Sequence, residues 1–242
     1  MHKDSSIEAK EVKKFDKLSD KWWDKDGEFK MLHEINPLRL SFIVDKIRQH
    51  FTIQSENLFN DLDILDVGCG GGLITIPLSK MGANLTAIDA SENNTKATSK
   101  QAQALGLNIN CINCTVEDLS QESKRFDVVI CLEVIEHVAN VGDFVANLSK
   151  LIKPGGMLII STINKNIKSY LLAIIMAEYV LGWVPKRTHD HSKFIKPSKL
   201  SSLLAKSNLS FRELRGLTFD VYSRLWKLSD DIDVNYLAYI AS

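Results

Sequence analysis

Two groups of residues in this chain have the types and the spacing to do chemistry. The first is the glycine turn in residues 64–72, ILDVGCGGG, followed by Asp89 at the end of a second apolar run, LTAID. Gly68 and Gly70 permit a tight turn and close approach of the main chain to a ligand, and a helix opening after them aims its N-terminal N–H groups the same way. Asp89, about 20 residues on, can accept hydrogen bonds from both hydroxyls of a ribose. This is the layout of a nucleotide-binding β-α-β unit. A dinucleotide fingerprint would place a third glycine at position 73, where this chain has Leu73.

The second group is Glu133-x-x-Glu136-His137. In a helical turn, positions i, i+3 and i+4 share a face. Two carboxylates and an imidazole could then hold a hard divalent cation such as Mg²⁺ with open positions. A second reading makes His137 a general base oriented by the Glu136 carboxylate, with no metal. A third makes all three residues a capping network at a strand-to-helix turn. The zinc motif HExxH does not apply, because it needs two histidines.

Both groups depend on alternating strands and helices to bring them together. Strands are expected at 63–68, 84–89, 110–113, 126–131 and 157–162. Between them come a helix over 73–81 stopped by Gly82, a helix N-capped by Ser91 and ended at Gly106, and a helix over 141–151. A helix beginning near Pro197 precedes strands near 211–214 and 234–240. The pattern predicts an α/β fold with a doubly wound, mostly parallel seven-stranded sheet and right-handed crossovers. An N-terminal helical segment over 15–50 would cap it, since Leu38, Phe42, Ile43 and Ile47 recur at helix spacing from a start near His33 or Pro37. A helical insertion over 163–196 follows strand five. Ligands bind outside the carboxyl ends of strands in such sheets, so both groups should meet at one edge.

At 242 residues the chain can bury one full core, and residues 1–242 read as a single domain. Thirty basic residues balance thirty acidic ones, so no global field draws it to nucleic acid. Residues 1–14 are polar and lack the apolar core of a signal peptide, which suggests a cytoplasmic protein. Cys111-x-x-Cys114 has no second pair to complete a zinc site, and the four cysteines read as buried thiols of a reducing compartment. Residues 170–184 are apolar except for Glu178 and Gly182. As a helix they would span about 22 Å, short of the roughly 30 Å hydrocarbon core. Lys165 and Lys168 precede them, and Lys186, Arg187, Lys193 and Lys196 follow. Such a helix suits an anionic membrane surface, or else a core or dimer interface.

Several segments together resemble one family. They are KWWDKDGEFKMLHEINPLRL, LDVGCGGG, AIDAS, FDVVICLEVIEHV, KPGG, STINKNIKSYLLAIIMAEYVL, THDHSKFIKP and LSDDIDVNY, and they cover roughly residues 15–239. GxGxG preceded by Asp66, with KPGG, is similar to the Rossmann-like class I methyltransferases that use S-adenosyl-L-methionine. The WWD-x-x-GEFK-x-LH-x-INPLR and THD…KFIKP blocks narrow the resemblance to the ubiquinone biosynthesis O-methyltransferase family.

The resemblance implies methyl transfer from S-adenosyl-L-methionine to a phenolic hydroxyl of polyprenyl-catechol and demethylubiquinol intermediates. It implies cofactor contacts from Arg39, Gly68, Asp89 and Leu132, with Gly70 in the same turn. Arg39 would pair with the methionyl carboxylate, against the plain reading of a surface charge. Glu117 would reach the adenine amine, against the readings of a helix cap or a solvated acid. Family members reported as metal-dependent make Glu133, Glu136 and His137 the ligands of a Mg²⁺ ion. His137 and Glu136 are the expected catalytic pair, with His33, His189 and His191 as weaker bases on the flanks.

The implied partners are a polyprenyl phenol or quinol, the anionic surface of the inner membrane contacted peripherally, and a ubiquinone-biosynthesis protein complex. Four other functions compete. They are a methyltransferase of another small phenol, an NAD-dependent oxidoreductase, a nucleic-acid methyltransferase and a non-catalytic scaffold. Leu73 counts against NAD, and CLEV stands where an amino-methylating nucleic-acid enzyme carries Pro-Pro-aromatic. The intact glycine turn with Asp89 counts against a scaffold.

Overall fold

Strand β1 (Asp63–Val67) sits mid-sheet, between β2 (Asn84–Asp89) and β4 (Phe126–Leu132), and the chain winds outward from it in both directions. The computed structural model describes residue 16 and residues 18–54, 59–171 and 191–242. Strand order is β3-β2-β1-β4-β5-β8-β6-β7, with β3 at Asn110–Asn113, β5 at Ile152–Ile163, β6 at Ser210–Asp220, β7 at Leu225–Ser229 and β8 at Asn235–Ala241. Strands β1 to β5 are mutually parallel, while β8, β6 and β7 each pair antiparallel with their neighbours.

The central strands are apolar on both faces, and their side chains alternate between two cores. Leu65, Val129, Cys131, Leu158 and Ile160 face one layer, with Phe144, Val145, Leu148, Leu200 and Leu204 from helices Val141–Lys150 and Pro197–Ala205. Ile64, Val128, Ile130, Met157 and Ile159 face the other, with Ile43, Ile47 and Leu78. Those three come from α1 (Lys30–Phe51) and α2 (Thr75–Lys80). Reversal of strand order on either side of β1 opens the crevice at the carboxyl ends of β1, β2 and β4.

The expected seven strands are eight. Strand β7 pairs with Gly216–Asp220, at the far end of a β6 longer than the apolar run 211–214 suggests. Its LWKLS sequence sets Leu225 beside Trp226, which breaks the alternation expected of a strand with one packed face. Helix α1 also begins earlier than its apolar spacing indicates and runs through Pro37. It buries Lys46 as well as Ile43 and Ile47. Burial alone would push the Lys46 pKa down. Carboxylates of Asp45 at 2.8 Å and Glu213 at 2.7 Å outweigh that and raise it.

No described helix is long and apolar enough to cross a membrane. Most of the expected apolar helix at 170–184, with Lys186, Arg187 and His189, lies outside the described residues. The approaches to it are described. Lys168 pairs with Asp231 at 2.8 Å and Asp233 at 3.1 Å, and Lys165 Nζ donates to Ser192 O at 2.6 Å. These two cations are therefore held by the protein itself.

Candidate active site

The glycine turn begins where β1 stops. Gly68, Gly70 and Gly72 take φ values of +70°, +53° and +85°, a region closed to most side chains. Gly68 N and Cys69 N both donate to Ile88 O, at 2.8 and 3.1 Å, so the turn is seated on the end of β2. Gly70 N then donates to Asp89 Oδ2 at 3.0 Å. Asp89 also accepts from Ser91 N at 2.8 Å and from Asn94 Nδ2 at 3.3 Å. Burial pushes the Asp89 pKa up, and these three donors oppose the rise. Within β1, buried Asp66 accepts from Thr75 Oγ1 at 2.5 Å. Burial pushes its pKa up to about 6, against the Thr75 hydrogen bond and with help from the Asp89 charge. The glycine turn and the acid at the end of β2 are thus brought together, as their spacing predicts.

The N-terminal segment closes over this turn in a way the sequence did not reveal. Trp22 lays its indole on Gly70 and Gly71, and a Cβ on Gly71 would stand 2.2 Å from Trp22 Cβ. Trp23 Nε1 donates to Gly71 O at 3.0 Å, and Asn36 Nδ2 to Leu73 O at 2.9 Å. Ser91 Oγ donates to Asp16. Gly71 therefore serves the packing of Trp22, because its own φ is not in the left-handed region. The tandem tryptophan was the available signal, but an aromatic pair alone does not say what it covers.

Across the crevice, β4 ends at half-buried Leu132, and Glu133 follows with φ +54°, a conformation disfavoured for a residue with a side chain. Three contacts hold it there. Arg39 Nη2 lies 3.0 Å from Glu133 Oε1, Ser161 Oγ donates to the same oxygen at 2.7 Å, and Glu133 N donates to Ser161 Oγ at 3.2 Å. Arg39 comes from α1 and is only 6% exposed. Its Nε is buried with no hydrogen-bond partner among the described residues. The surface-charge reading of Arg39 is therefore wrong.

Glu136 is 3% exposed, and its Oε2 accepts from Thr162 Oγ1 at 2.9 Å. Burial, with the neighbouring Glu133 charge adding to it, holds the Glu136 carboxyl far above the usual carboxylate range. So enclosed, Glu136 is held inside the turn that ends at His137.

The metal reading needs Glu133, Glu136 and His137 on one face. Among the described residues, no group of three His, Cys, Asp or Glu side chains is gathered so as to hold a metal ion. The reason lies in the backbone. Residues Ile135–His137 make a single 3-10 turn, and Glu133 precedes it in a left-handed conformation rather than an α-helical one. Glu133 is drawn to Arg39 and Ser161, and Glu136 to Thr162. The donor set does not fit the ion, so no chemical step is derived through one.

The remaining expected residues separate as follows. Glu117 lies half-buried in a helical turn, Val116–Ser120, whose capping box is supplied by Thr115 and Asp118, which removes the capping role for Glu117. His33 is engaged with Trp22 O at 2.8 Å and His191 with Asn166 O at 3.1 Å. His137 ends the 3-10 turn beside the carboxyl end of β4. All four cysteines are free, and burial pushes Cys114 up to about 11 and Cys111 in the same direction, against any thiolate chemistry.

The family described as Methyltransferase domain matches residues 65–160, from the glycine turn to β5. Among solved structures, the chain is similar to magnesium protoporphyrin IX methyltransferase from Synechocystis with bound SAH. The TM-score is 0.62 at 18% identity, covering 95% of this chain and 98% of that one. It is similar also to the plantazolicin methyltransferase in complex with a substrate analogue and SAH, with TM-score 0.60, 19% identity and 96% of each chain covered. These likenesses establish the class I methyltransferase fold. Closer in sequence is the ubiquinone biosynthesis O-methyltransferase of Rickettsia felis, 55% identical over 232 residues, which is 96% of this chain and 93% of that protein. Its counterpart in Rickettsia canadensis is 52% identical over 236 residues, 98% of both. With relatives this similar over nearly the whole length, and a glycine turn, acidic strand end and buried arginine meeting at one edge of the sheet, the chain belongs to the ubiquinone biosynthesis O-methyltransferase family.

Proposed function

We propose that this protein transfers a methyl group from S-adenosyl-L-methionine to a phenolic hydroxyl of a polyprenyl-catechol or demethylubiquinol. The observation that supports it most is the Gly70 N–H held to the Asp89 carboxylate at the ends of β1 and β2, with the buried Arg39 guanidinium held to Glu133 at the end of β4. That constellation suits the separate polar parts of one ligand. Asp89 takes the ribose hydroxyls, and Gly68 lets the main chain approach the methionine portion. Leu132 borders it, and Glu117 takes the adenine amine. Arg39 offers its Nε, which has no partner among the described residues, to the methionyl carboxylate, in competition with Glu133. When bound, S-adenosyl-L-methionine supplies a methyl already activated by its sulfonium.

What remains for the protein is in-line approach and removal of one proton. A phenol ionises near pH 10, so most of it is neutral at pH 7. His137 takes that proton, while Glu136 and Thr162 fix the turn that carries it. Methyl transfer to a short-chain demethylubiquinol analogue tests the reading. His137→Ala is expected to lose about 10²- to 10⁴-fold in turnover. Glu133→Gln and Glu136→Gln should also lose turnover, and all three should retain S-adenosylhomocysteine binding by calorimetry. Binding of NADH but not S-adenosylhomocysteine would sink the methyltransferase reading. Full activity after exhaustive chelation fits His137 alone, whereas loss restored by Mg²⁺ would reinstate the metal ligands.

The acceptor's polyprenyl tail brings in a membrane surface. Strand β6 passes the start of β8 before turning, so the β6–β7 hairpin overhangs the same edge of the sheet as the crevice. Its tip bears Val221, Tyr222 and Leu225, all exposed, and Ile167, Tyr170 and Leu171 are exposed where the insertion leaves β5. These apolar groups support peripheral association at that edge. Flotation with anionic vesicles should show binding to which each cation near the surface adds about 1 kcal/mol, and which therefore weakens with salt. Salt-independent binding, or none, would return the insertion to a core or a subunit contact.

A further inference from the structure

The ribose carboxylate does not stand alone. Asp89 Oδ2 accepts from Asn94 Nδ2 at 3.3 Å, and Asn94 Oδ1 in turn accepts from Trp22 Nε1 at 2.9 Å. A line of hydrogen bonds thus runs from the N-terminal segment, through the first turn of helix Glu92–Ala104, to the acid at the end of β2. Trp22 and Asn94 are both buried, and Asn94 N is tied to Ser91 Oγ at 3.2 Å. Trp22 is fixed on its other side, stacked on Phe29 at 3.9 Å between ring centroids and 6° between planes.

The chemistry of a primary amide gives this line a direction. Asn94 carries an acceptor oxygen and a donor nitrogen of nearly equal size, so packing alone does not choose which faces Asp89. An indole N–H can only donate. By occupying the amide oxygen it turns the NH₂ toward the carboxylate. With the amide reversed, an oxygen would face Asp89, and the carboxylate would be repelled from its place under Gly70. We propose that Trp22 is a positioning residue for the cofactor ribose: through Asn94 it fixes the orientation of the Asp89 carboxylate that receives the two hydroxyls. This rests on the reading of Asp89 as the ribose acceptor. It also gives the N-terminal segment a part in cofactor affinity, beyond covering the glycine turn.

The test separates orientation from packing. Trp22→Phe keeps a ring against Phe29 and Gly71 and removes the N–H together with the indole atoms over Gly70, so the ligand lacking ribose hydroxyls is what separates orientation from packing. Asn94→Asp keeps the partner of Trp22 and sets a second carboxylate against Asp89. Calorimetry would be run with S-adenosylhomocysteine and with its 2′,3′-dideoxyribose counterpart, on variants whose folding is verified by circular dichroism. Trp22→Phe is expected to weaken S-adenosylhomocysteine about five- to tenfold, the range of one lost hydrogen bond, and the dideoxy ligand less than about twofold. Asn94→Asp should show the same selectivity with a larger loss, reading the link from the other side. In turnover, KM for S-adenosyl-L-methionine should rise while kcat holds. Equal losses on both ligands would make Trp22 a packing residue of the glycine turn and overturn the proposal, as would an unchanged affinity in folded Trp22→Phe. Equal binding of the two ligands by the unaltered protein would overturn the ribose reading of Asp89 itself, and the role of Trp22 with it.

Discussion

Asp89→Ala is expected to weaken S-adenosyl-L-methionine binding by about 100-fold or more while the protein still folds. Two ribose hydroxyls would share this one carboxylate, and hydrogen bonds to a charged acceptor are worth about 1.5–3 kcal/mol each. At 1.4 kcal/mol per factor of ten, losing both reaches that range with no other change. The fold is less exposed to the substitution, because β2 remains paired along its length to β1 and β3. Titration calorimetry reads the affinity, and a thermal melt without ligand reads the fold. The pH dependence supplies an independent check. Burial raises the Asp89 pKa above its ordinary value, so the carboxylate is complete only above that raised pKa. Affinity should therefore fall as pH is lowered through it, and that acid limb should be missing from Asp89→Ala. A folded variant with unchanged affinity would remove Asp89 from the cofactor site.

Gly68→Val is expected to cost both stability and binding, for reasons that lie inside the protein. A Cβ there would stand 2.3 Å from Val134 Cγ2, in the segment after β4, and φ is +70°. The left-handed conformation costs a residue with a Cβ about 1–2 kcal/mol, and forced overpacking adds about 1–3 kcal/mol. A loss near 3 kcal/mol lowers the melting temperature of a protein this size by about 10 °C. Because Val134 joins Glu133 to the 3-10 turn, the displacement should spread from the cofactor turn to the acceptor side. Adding Val134→Ala to a Gly68→Ala protein should recover the clash but not the backbone strain, leaving a deficit of about 1–2 kcal/mol. Complete recovery would mean that the positive φ is not required. Full cofactor binding by folded Gly68→Val would remove this glycine from the site.

Much of the molecule is legible in the sequence. The five parallel strands and their helices follow from apolar runs broken by glycine and by caps, and these are local signals. Ser91 accepts from Asn94 N as an N-cap should, and Val141–Lys150 opens on Asn140 in the same way. The pairing of the glycine turn with Asp89 was legible too, because one β-α-β unit fixes the distance between them. Strand β7 was not. Its LWKLS sequence has neighbouring apolar residues at 225 and 226 and no strict alternation to distinguish it from loop.

The acceptor side shows where local reasoning stops. Helical spacing puts Glu133, Glu136 and His137 on one face, yet the backbone leaves β4 through a left-handed residue and makes one 3-10 turn. Side-chain spacing identifies a shared face only if the helix forms. Here Arg39, Ser161 and Thr162, distant in sequence, decide how that backbone lies.

By itself the sequence determined the fold class, the glycine turn, the acid that ends β2 and the family, because each is written in contiguous residues or at short fixed spacings. Only the tertiary structure decided that Arg39 is buried against Glu133, that Glu136 is enclosed, and that Trp22 reaches Asp89 through Asn94. Apart from the local Asn94–Asp89 bond, those relations join residues 26 to 94 positions apart, and the packing that creates them depends on the whole sheet being assembled.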